Sequence, residues 1–409
     1  MKNTYSEMKN SGVAWIGDIP TIWDTKHLFQ LTIQVKNKNS ALSEQNLLSL
    51  SYGKIKRKSI ETTEGLLPAS FDNYNIVEKD DIVLRLTDLQ NDHTSLRVGK
   101  VEEKGIITSA YVSVRPVLGV SKYIYYALHS FDLKKGFYGM GSGVRQGLNF
   151  TEAKMIRIPF PELPEQTAIA AYLDEKCGTI DEIIAEAKAS IEEYKAWKSS
   201  VIFEAVTKGL DPHAEMKDSG VDIIGLMPKH WNLCRQRFLC KTTTGDHDTQ
   251  DAELEGAFPF YVRSPIIERS NTYTFDGEGV LMAGDGAGAG RVFHYATGKY
   301  AIHQRVYCFY DFKGILPRFY HYFMENLFCA EMDKGSAKST VPSVRLPMLK
   351  DFNICLPSLT EQANIITALD EKCAAIDGII AEKEALIADM EAYKKSLIFE
   401  TVTGKRKVC

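Results

Sequence analysis

The stretch Gly141-Ser142-Gly143-Val144-Arg145-Gln146 sets a forked guanidinium and a carboxamide between glycines. Arg145 can read guanine and Gln146 adenine at base edges in the major groove, while Ser142 and backbone amides hold phosphate. In a corresponding place farther along, Gly335-Ser336-Ala337-Lys338-Ser339-Thr340 is followed by Arg345, so Ser336, Lys338, Ser339 and Arg345 are candidate contacts of a second site. The basic run Tyr52-Gly53-Lys54-Ile55-Lys56-Arg57-Lys58 offers Tyr52, Lys54, Lys56 and Arg57 to a phosphate backbone. These residue types could serve contact with duplex DNA; the plain alternatives are an ordinary glycine-rich surface loop and a solvated charge run. Other chemistries fare worse. Asp88 or Asp92 with Glu102 and Lys104 imitates a nuclease centre, but Glu-x-Lys also occurs at Glu152 and Glu193. Gly284 to Gly290 imitates a dinucleotide loop, yet a strand rather than a helix follows, so a hairpin is expected. Asp246-His247-Asp248 with Asp251 reads as an acidic loop, because consecutive loop residues rarely converge on one ion. His294, His303 and His321 have no ligand spacing, and the eight cysteines form no Cys-x-x-Cys pair, so no metal site is expected. The chain has no Pro-Pro dipeptide for an adenine-methylating site, and no Gly-Lys pair is followed by Ser or Thr as a P-loop requires.

The elements that must position these loops are announced by an internal repeat. Met8-Lys9-Asn10-Ser11-Gly12-Val13, ending at Trp23, returns as Met216-Lys217-Asp218-Ser219-Gly220-Val221, ending at Trp231; Glu165-Gln166 through Val206-Thr207 returns as Glu361-Gln362 through Val402-Thr403. The framing segments match, whereas the enclosed ones diverge. Net charge is −4 over 409 residues, but residues 162–208 and 357–403 carry −5 each, while 24–160 carry +5 and 232–356 are neutral. Phosphate contact therefore belongs to the enclosed segments.

The acidic repeats read as long helices. Leu173, Ile180, Ala187, Tyr194 and Val201 recur every seven residues, and Cys177, Ile184, Ile191, Lys198 and Ala205 follow them by four. The second copy gives Leu369, Ile376, Lys383, Met390 and Leu397, with Cys373, Ile380, Ile387, Lys394 and Thr401. Such seams require partners, and each other's copy, antiparallel, is the nearest. Ile183, Trp197, Ile379, Leu386 and Tyr393 lie beside the seams, available to another protein. The enclosed segments read as mixed α/β globes. Expected strands include 80–86, 98–101, a continuous 106–114, 279–283 and 300–310, with helices near 123–131 and 318–332.

The openings Trp15-Ile16-Gly17-Asp18-Ile19-Pro20 and Ile224-Gly225-Leu226-Met227-Pro228, with Pro161-Glu162-Leu163-Pro164-Glu165-Gln166 and Pro357-Ser358-Leu359-Thr360-Glu361-Gln362, resemble the specificity subunit of type I restriction–modification systems. The resemblance spans the chain. It implies target-recognition domains over 1–160 and 209–356, helical spacers over 161–208 and 357–409, and two α/β globes joined by an antiparallel coiled coil with a pseudo-twofold repeat. It further implies a non-catalytic protein that reads a bipartite, asymmetric site in double-stranded DNA. Two methyltransferase subunits and restriction/translocase subunits would be its partners, and they rather than this chain would bind S-adenosylmethionine, ATP and Mg²⁺. One departure is that the second globe lacks an obvious match to Gly141 through Leu148. Without a membrane-length apolar run or signal-like start, a cytoplasmic protein is expected. The rival readings are a coiled-coil protein-binding scaffold and a stand-alone nuclease or methyltransferase. If the helices set the unread gap, inserting four residues in both should lengthen the spacer by about two base pairs, since one turn adds about 6 Å. Methylation mapping checks this, and an unchanged spacer would refute the ruler.

Overall fold

The computed structural model describes residues 4–60, 70–92, 94–140, 147–335 and 342–408. The chain divides into two compact units, Met1–Ala187 with Ala385–Cys409, and Lys188–Glu384. Each is built to one plan.

In the first unit, strands β1 (Thr32–Gln34), β4 (Ile82–Leu84), β5 (Val98–Lys100) and β6 (Val112–Pro116) form an antiparallel sheet in the order β1-β6-β4-β5. Alternation along β4 explains the two faces of this sheet. Ile82 and Leu84 pack with Ile124, Ala127, Leu128 and Phe131 of helix α1 (Ser121–Leu133). Val83 turns the other way, toward Leu48, Leu50 and Ile55 of the hairpin formed by β2 (Leu48–Ser51) and β3 (Lys54–Arg57). The continuous strand expected over 106–114 is instead two strands in different sheets, broken where Tyr111 N donates to Thr108 O. Helix α2 spans Leu163–Lys208 and contributes a part to each unit.

In the second unit, β7 (Lys241–Thr244), β8 (Gly279–Ala283), β9 (Phe293–Ala296) and β10 (Val306–Tyr310) repeat the sheet in the order β7-β10-β8-β9. Val280, Met282 and Phe309 pack with Phe319, Tyr320 and Phe323 of helix α3 (Pro317–Gly335), while Leu281 and Cys308 face Tyr300 and Ile302. The strand expected over 300–310 is interrupted after Ile302, where His303 Nδ1 accepts from Arg305 N. Helix α4 (Leu359–Val402) again contributes to both units.

The repeated motifs are each other's partners. Trp23 and Trp231 are each 1% exposed. The Trp23 indole donates to Glu165 Oε2 at 2.8 Å, and that of Trp231 to Glu361 Oε1 at 3.2 Å. The next residue of each helix, Gln166 or Gln362, is fully buried. Gln166 accepts from Val120 N at 2.8 Å and donates to Pro161 O at 2.7 Å; Gln362 accepts from Leu316 N at 2.7 Å and donates to Pro357 O and Gly314 O. Thus one side chain fastens the start of a long helix to the segment that leads into the globe's own helix. The helix ends complete the same cores. Gly209 (φ +77) and Gly404 (φ +72) lie against Trp231 and Trp23, and any Cβ at Gly404 would sit 2.3 Å from Pro20.

Within each unit α2 and α4 are antiparallel. In the first, Ile169, Leu173, Cys177 and Ile180 pack with Leu397, Ile398 and Val402, and Lys394 Nζ bonds Asp181 at 2.6 Å. In the second, Ile202 and Val206 join a core with Ile365, Leu369 and Cys373, and Lys198 Nζ bonds Asp377 at 2.7 Å. The lysine in each seam is thereby explained as one member of a duplicated ion pair. Of the expected seam residues, Leu173, Ile180, Ile191, Leu369, Ile376 and Leu397 are buried, whereas Ile184, Tyr194, Ile380, Ile387 and Met390 are half-buried. At the end of α2 the register slips by one, with Ile202 buried and Val201 half-buried, as 3.6 residues per turn drift from a strict repeat of seven. Trp197, Leu386 and Tyr393 remain exposed.

Replacing Gln362 by Leu orphans Leu316 N and two carbonyls, and should lower stability by about 2–5 kcal/mol in denaturant unfolding. Glu361 gives a second test. Burial alone would raise its pKa, but hydrogen bonds from His230, Ser358 and Trp231 bring it down to about 2. Because the folded value lies below the unfolded one, its stabilisation is present above its ordinary value near 4.5 and is lost as pH falls through about 2. Glu361→Gln should flatten the acid limb of the unfolding midpoint; an unchanged limb would exclude this carboxylate as its source.

Candidate nucleic-acid interface

The loop leaving β4 and the loop leaving β8 occupy equivalent positions in the two sheets. In the first unit it runs from Arg85 to Arg97 and is held from inside. Arg97 is fully buried, and its guanidinium donates to the carbonyls of Arg85, Thr87, Asp88 and Asp92 at 2.5–3.3 Å, with Nε 3.2 Å from Tyr138 Oη. Its backbone N donates to Asp132 Oδ2 at 2.6 Å. Burial pushes the Asp132 carboxyl up to about 6. At the loop's outer side Arg85 Nη2 lies 3.3 Å from Asp92. Hydrogen bonds from Ser95 and Thr94, with the nearby Arg85 charge, bring Asp92 down to about 2.

The second unit solves the same problem with glycines. Gly284 to Gly290 forms the turn of the β8–β9 hairpin, as the sequence suggested. A Cβ at Gly284 would stand 2.9 Å from Arg305 O, and one at Gly288 2.5 Å from Arg263 O, so this loop packs on two arginine backbones. Asp285 receives both side chains, Arg263 Nη1 at 3.0 Å and Arg305 Nε at 3.7 Å.

Each loop pairs with the segment that follows a predicted DNA-contact loop. Leu148 N donates to Leu86 O at 2.8 Å, and Val344 N donates to Gly284 O at 2.8 Å. Leu148 and Val344 are therefore equivalent anchors, and the missing counterpart of Gly141–Leu148 is found in backbone pairing where side chains diverged. Ser142, Arg145 and Gln146, and likewise Ser336, Lys338 and Ser339, lie outside the described residues. Arg345 is described and exposed, one residue beyond the Val344 anchor.

Tyr52 and Gly53 form the tip of the β2–β3 hairpin with φ of 47° and 76°. Two positive φ values at adjacent turn residues suit the twist of a tight hairpin, but a bulky residue there is strained. That strain holds an aromatic side chain 77% exposed, and Gly53 rests against Leu96 of the Arg85–Arg97 loop. Lys54 and Lys56 are exposed beside it, Lys54 within 3.7 Å of Asp181 on α2. Arg57 is paired with Glu103. The hairpin tip and the exit loop are thus brought together, while Arg57 is turned toward a carboxylate.

The weaker motifs do not assemble. Asp88 accepts from Asn91, Asp92 from Ser95, Glu102 pairs with Lys100 and Lys104 with Glu78, so the nuclease-like set is dispersed. His247 bonds Asp246 and Thr272, and Asp248 and Asp251 cap a short helical turn. His294 contacts Ser264 O, whereas burial lowers His321 to about 4. Among the described residues no group of three His, Cys, Asp or Glu side chains could hold a metal, and no helix is long and apolar enough to cross a membrane.

Residues 228–387 match the model of the type I restriction modification DNA specificity domain. The match lies within the second unit and the start of α4. Over its length the chain is similar to specificity subunits of type I restriction enzymes: 22% identical to the MjaVIII specificity subunit of Methanocaldococcus jannaschii, covering 95% of this chain and 94% of that one. It is 24% identical to the EcoDI specificity subunit of Escherichia coli over 181 residues, 44% of this chain and 40% of that protein. A chain solved in work on assembly and conformational transition of a type I restriction–modification system shares the fold, with a TM-score of 0.69 at 13% identity, covering 94% of this chain and 98% of that one. Within the matched residues, β7–β10 and α3 carry the glycine loop, and the first part of α4 carries the Glu361 and Gln362 anchors.

Sequence reasoning missed Arg97, Asp285, Arg263 and Arg305, because nothing along the chain marks which arginine turns inward to backbone carbonyls and which meet a carboxylate. Arg97→Ala leaves several carbonyls unpaired and should cost about 3–5 kcal/mol, since each buried unsatisfied acceptor costs about 1–3 kcal/mol, with new protease cleavage between residues 85 and 97. Limited proteolysis of the purified chain checks it; an intact loop would show that Arg97 does not hold it.

Proposed function

We propose that this chain is the DNA-reading subunit of a type I restriction–modification complex, in which each unit reads one half of a bipartite, asymmetric site. The observation that carries the reading is the repeated sheet with its equivalent exit loops, pinned by Leu86–Leu148 and Gly284–Val344, which are built from different residues. A constant frame with divergent loops suits two related tasks with different targets, and two different targets make the site non-palindromic. Methylation and cleavage are assigned to partners: two methyltransferase subunits, and restriction/translocase subunits where present. S-adenosylmethionine, ATP and Mg²⁺ belong to those partners, and the whole assembly works on chromosomal DNA in the cytoplasm. Exposed apolar side chains on the long helices, Leu386 and Tyr393 in the first unit and Trp197 in the second, support a protein-binding role for each.

Deleting the gene should erase one bipartite adenine-methylation motif from the methylome, and restoring it should return that motif. The purified chain with DNA, Mg²⁺ and S-adenosylmethionine should show no turnover. A methylome unchanged by deletion, or methyl transfer by the chain alone, would overturn the proposal.

A further inference from the structure

In the second unit four separate segments meet at Asp285. Gly284 N donates to Arg305 O at 2.8 Å, Gly286 N to Pro342 O at 3.0 Å, and Ser343 bridges Asp285 itself. Gly288 presses on the backbone of Arg263. The carboxylate at the centre is about one-quarter exposed, while the Arg263 and Arg305 side chains are 44% and 64% exposed. Stability does not explain this arrangement, since exposed ion pairs contribute little.

We propose that Arg263 and Arg305, aimed by Asp285, read guanine in the half-site taken by the second unit. This rests on the reading of the chain as a DNA specificity subunit. A guanidinium meets guanine O6 and N7 through two parallel N–H donors, so its value depends on the plane in which the fork is held. A long side chain free in water must lose rotamer freedom on binding; a carboxylate that bonds Arg263 Nη1 at 3.0 Å and draws Arg305 Nε to 3.7 Å by charge reduces that loss. Asp285 also argues against a simple phosphate clamp. Its charge repels phosphate and offsets one of the two arginines, which weakens sequence-independent attraction while preserving geometric discrimination. The first unit has a parallel on its equivalent loop, where Arg85 is held by Asp92 at 3.3 Å. The glycines let the four backbones converge closely enough for one carboxylate to serve two arginines.

The test is methylation mapping in cells carrying the full complex, with single substitutions in this chain. Arg305→Ala and Arg263→Ala should each relax the requirement for a G·C pair at one position of one half-site, by roughly 5- to 150-fold. The other half-site and the spacer should be unchanged. Asp285→Asn should relax the same positions more weakly. Arg305→Lys keeps the charge and loses the fork, so it should relax specificity as Arg305→Ala does, and it keeps the test valid if an alanine variant fails to accumulate. An unchanged motif, a uniform fall in methylation at all sites, or full function of Arg305→Lys would each overturn the assignment. If deletion of the wild-type gene removes no bipartite motif, the underlying DNA-reading function fails first, an outcome distinct from any of these.

Discussion

A buried indole donating to a glutamate in the first turn of a long helix is the contact on which the rest depends. The Trp23 and Trp231 rings are packed among apolar side chains, where a lost partner is expensive and a satisfied one fixes geometry, while Glu165 and Glu361 are half-buried. The adjoining Gln166 and Gln362 extend each contact into the segment before the globe's helix. Globe, frame and long helix therefore meet at one polar knot per unit. The sequence repeat preserves these residues because changing any one leaves a buried donor or acceptor unpaired.

The long helices are tied to the globes a second time. Asp174 receives Lys122 and Tyr126 of α1, and Asp370 receives Arg318 and Tyr322 of α3, each set displaced by 196 residues from the other. Together with Lys394–Asp181 and Lys198–Asp377, these contacts place charges where a purely apolar seam would leave the register poorly defined. Fixed at several points near the start of its own helix, each globe presents its exit loop in a reproducible place. Rigid support is what a reading head requires, since recognition of a base edge tolerates little displacement.

Against that constancy, the exit loops use different means. One is stapled by a buried guanidinium that satisfies four carbonyls; the other is compacted by glycines that let backbones touch. Both leave an arginine held by an aspartate at the surface. The sheet keeps its hydrophobic alternation while the loops change, and each loop still lends the core residues of its own, Leu86 and Leu89 in one and Ala289 in the other.

The sequence by itself determined the repeat, the long helices, their antiparallel partnership and the mixed α/β globes, because hydrophobic periodicity and repeated motifs are local records of which face must be buried. It also placed the hairpin at Gly284–Gly290 and the Tyr52 loop. It misjudged continuity at 106–114 and 300–310, where β-prone residues run through a break imposed by local hydrogen bonds at Thr108 and His303. Only the tertiary structure decided that Leu148 and Val344 are equivalent, that Arg97 is internal, and that Arg263, Asp285 and Arg305 form one cluster. Those residues are far apart along the chain, and their association depends on strand register and close backbone approach, which no periodicity records.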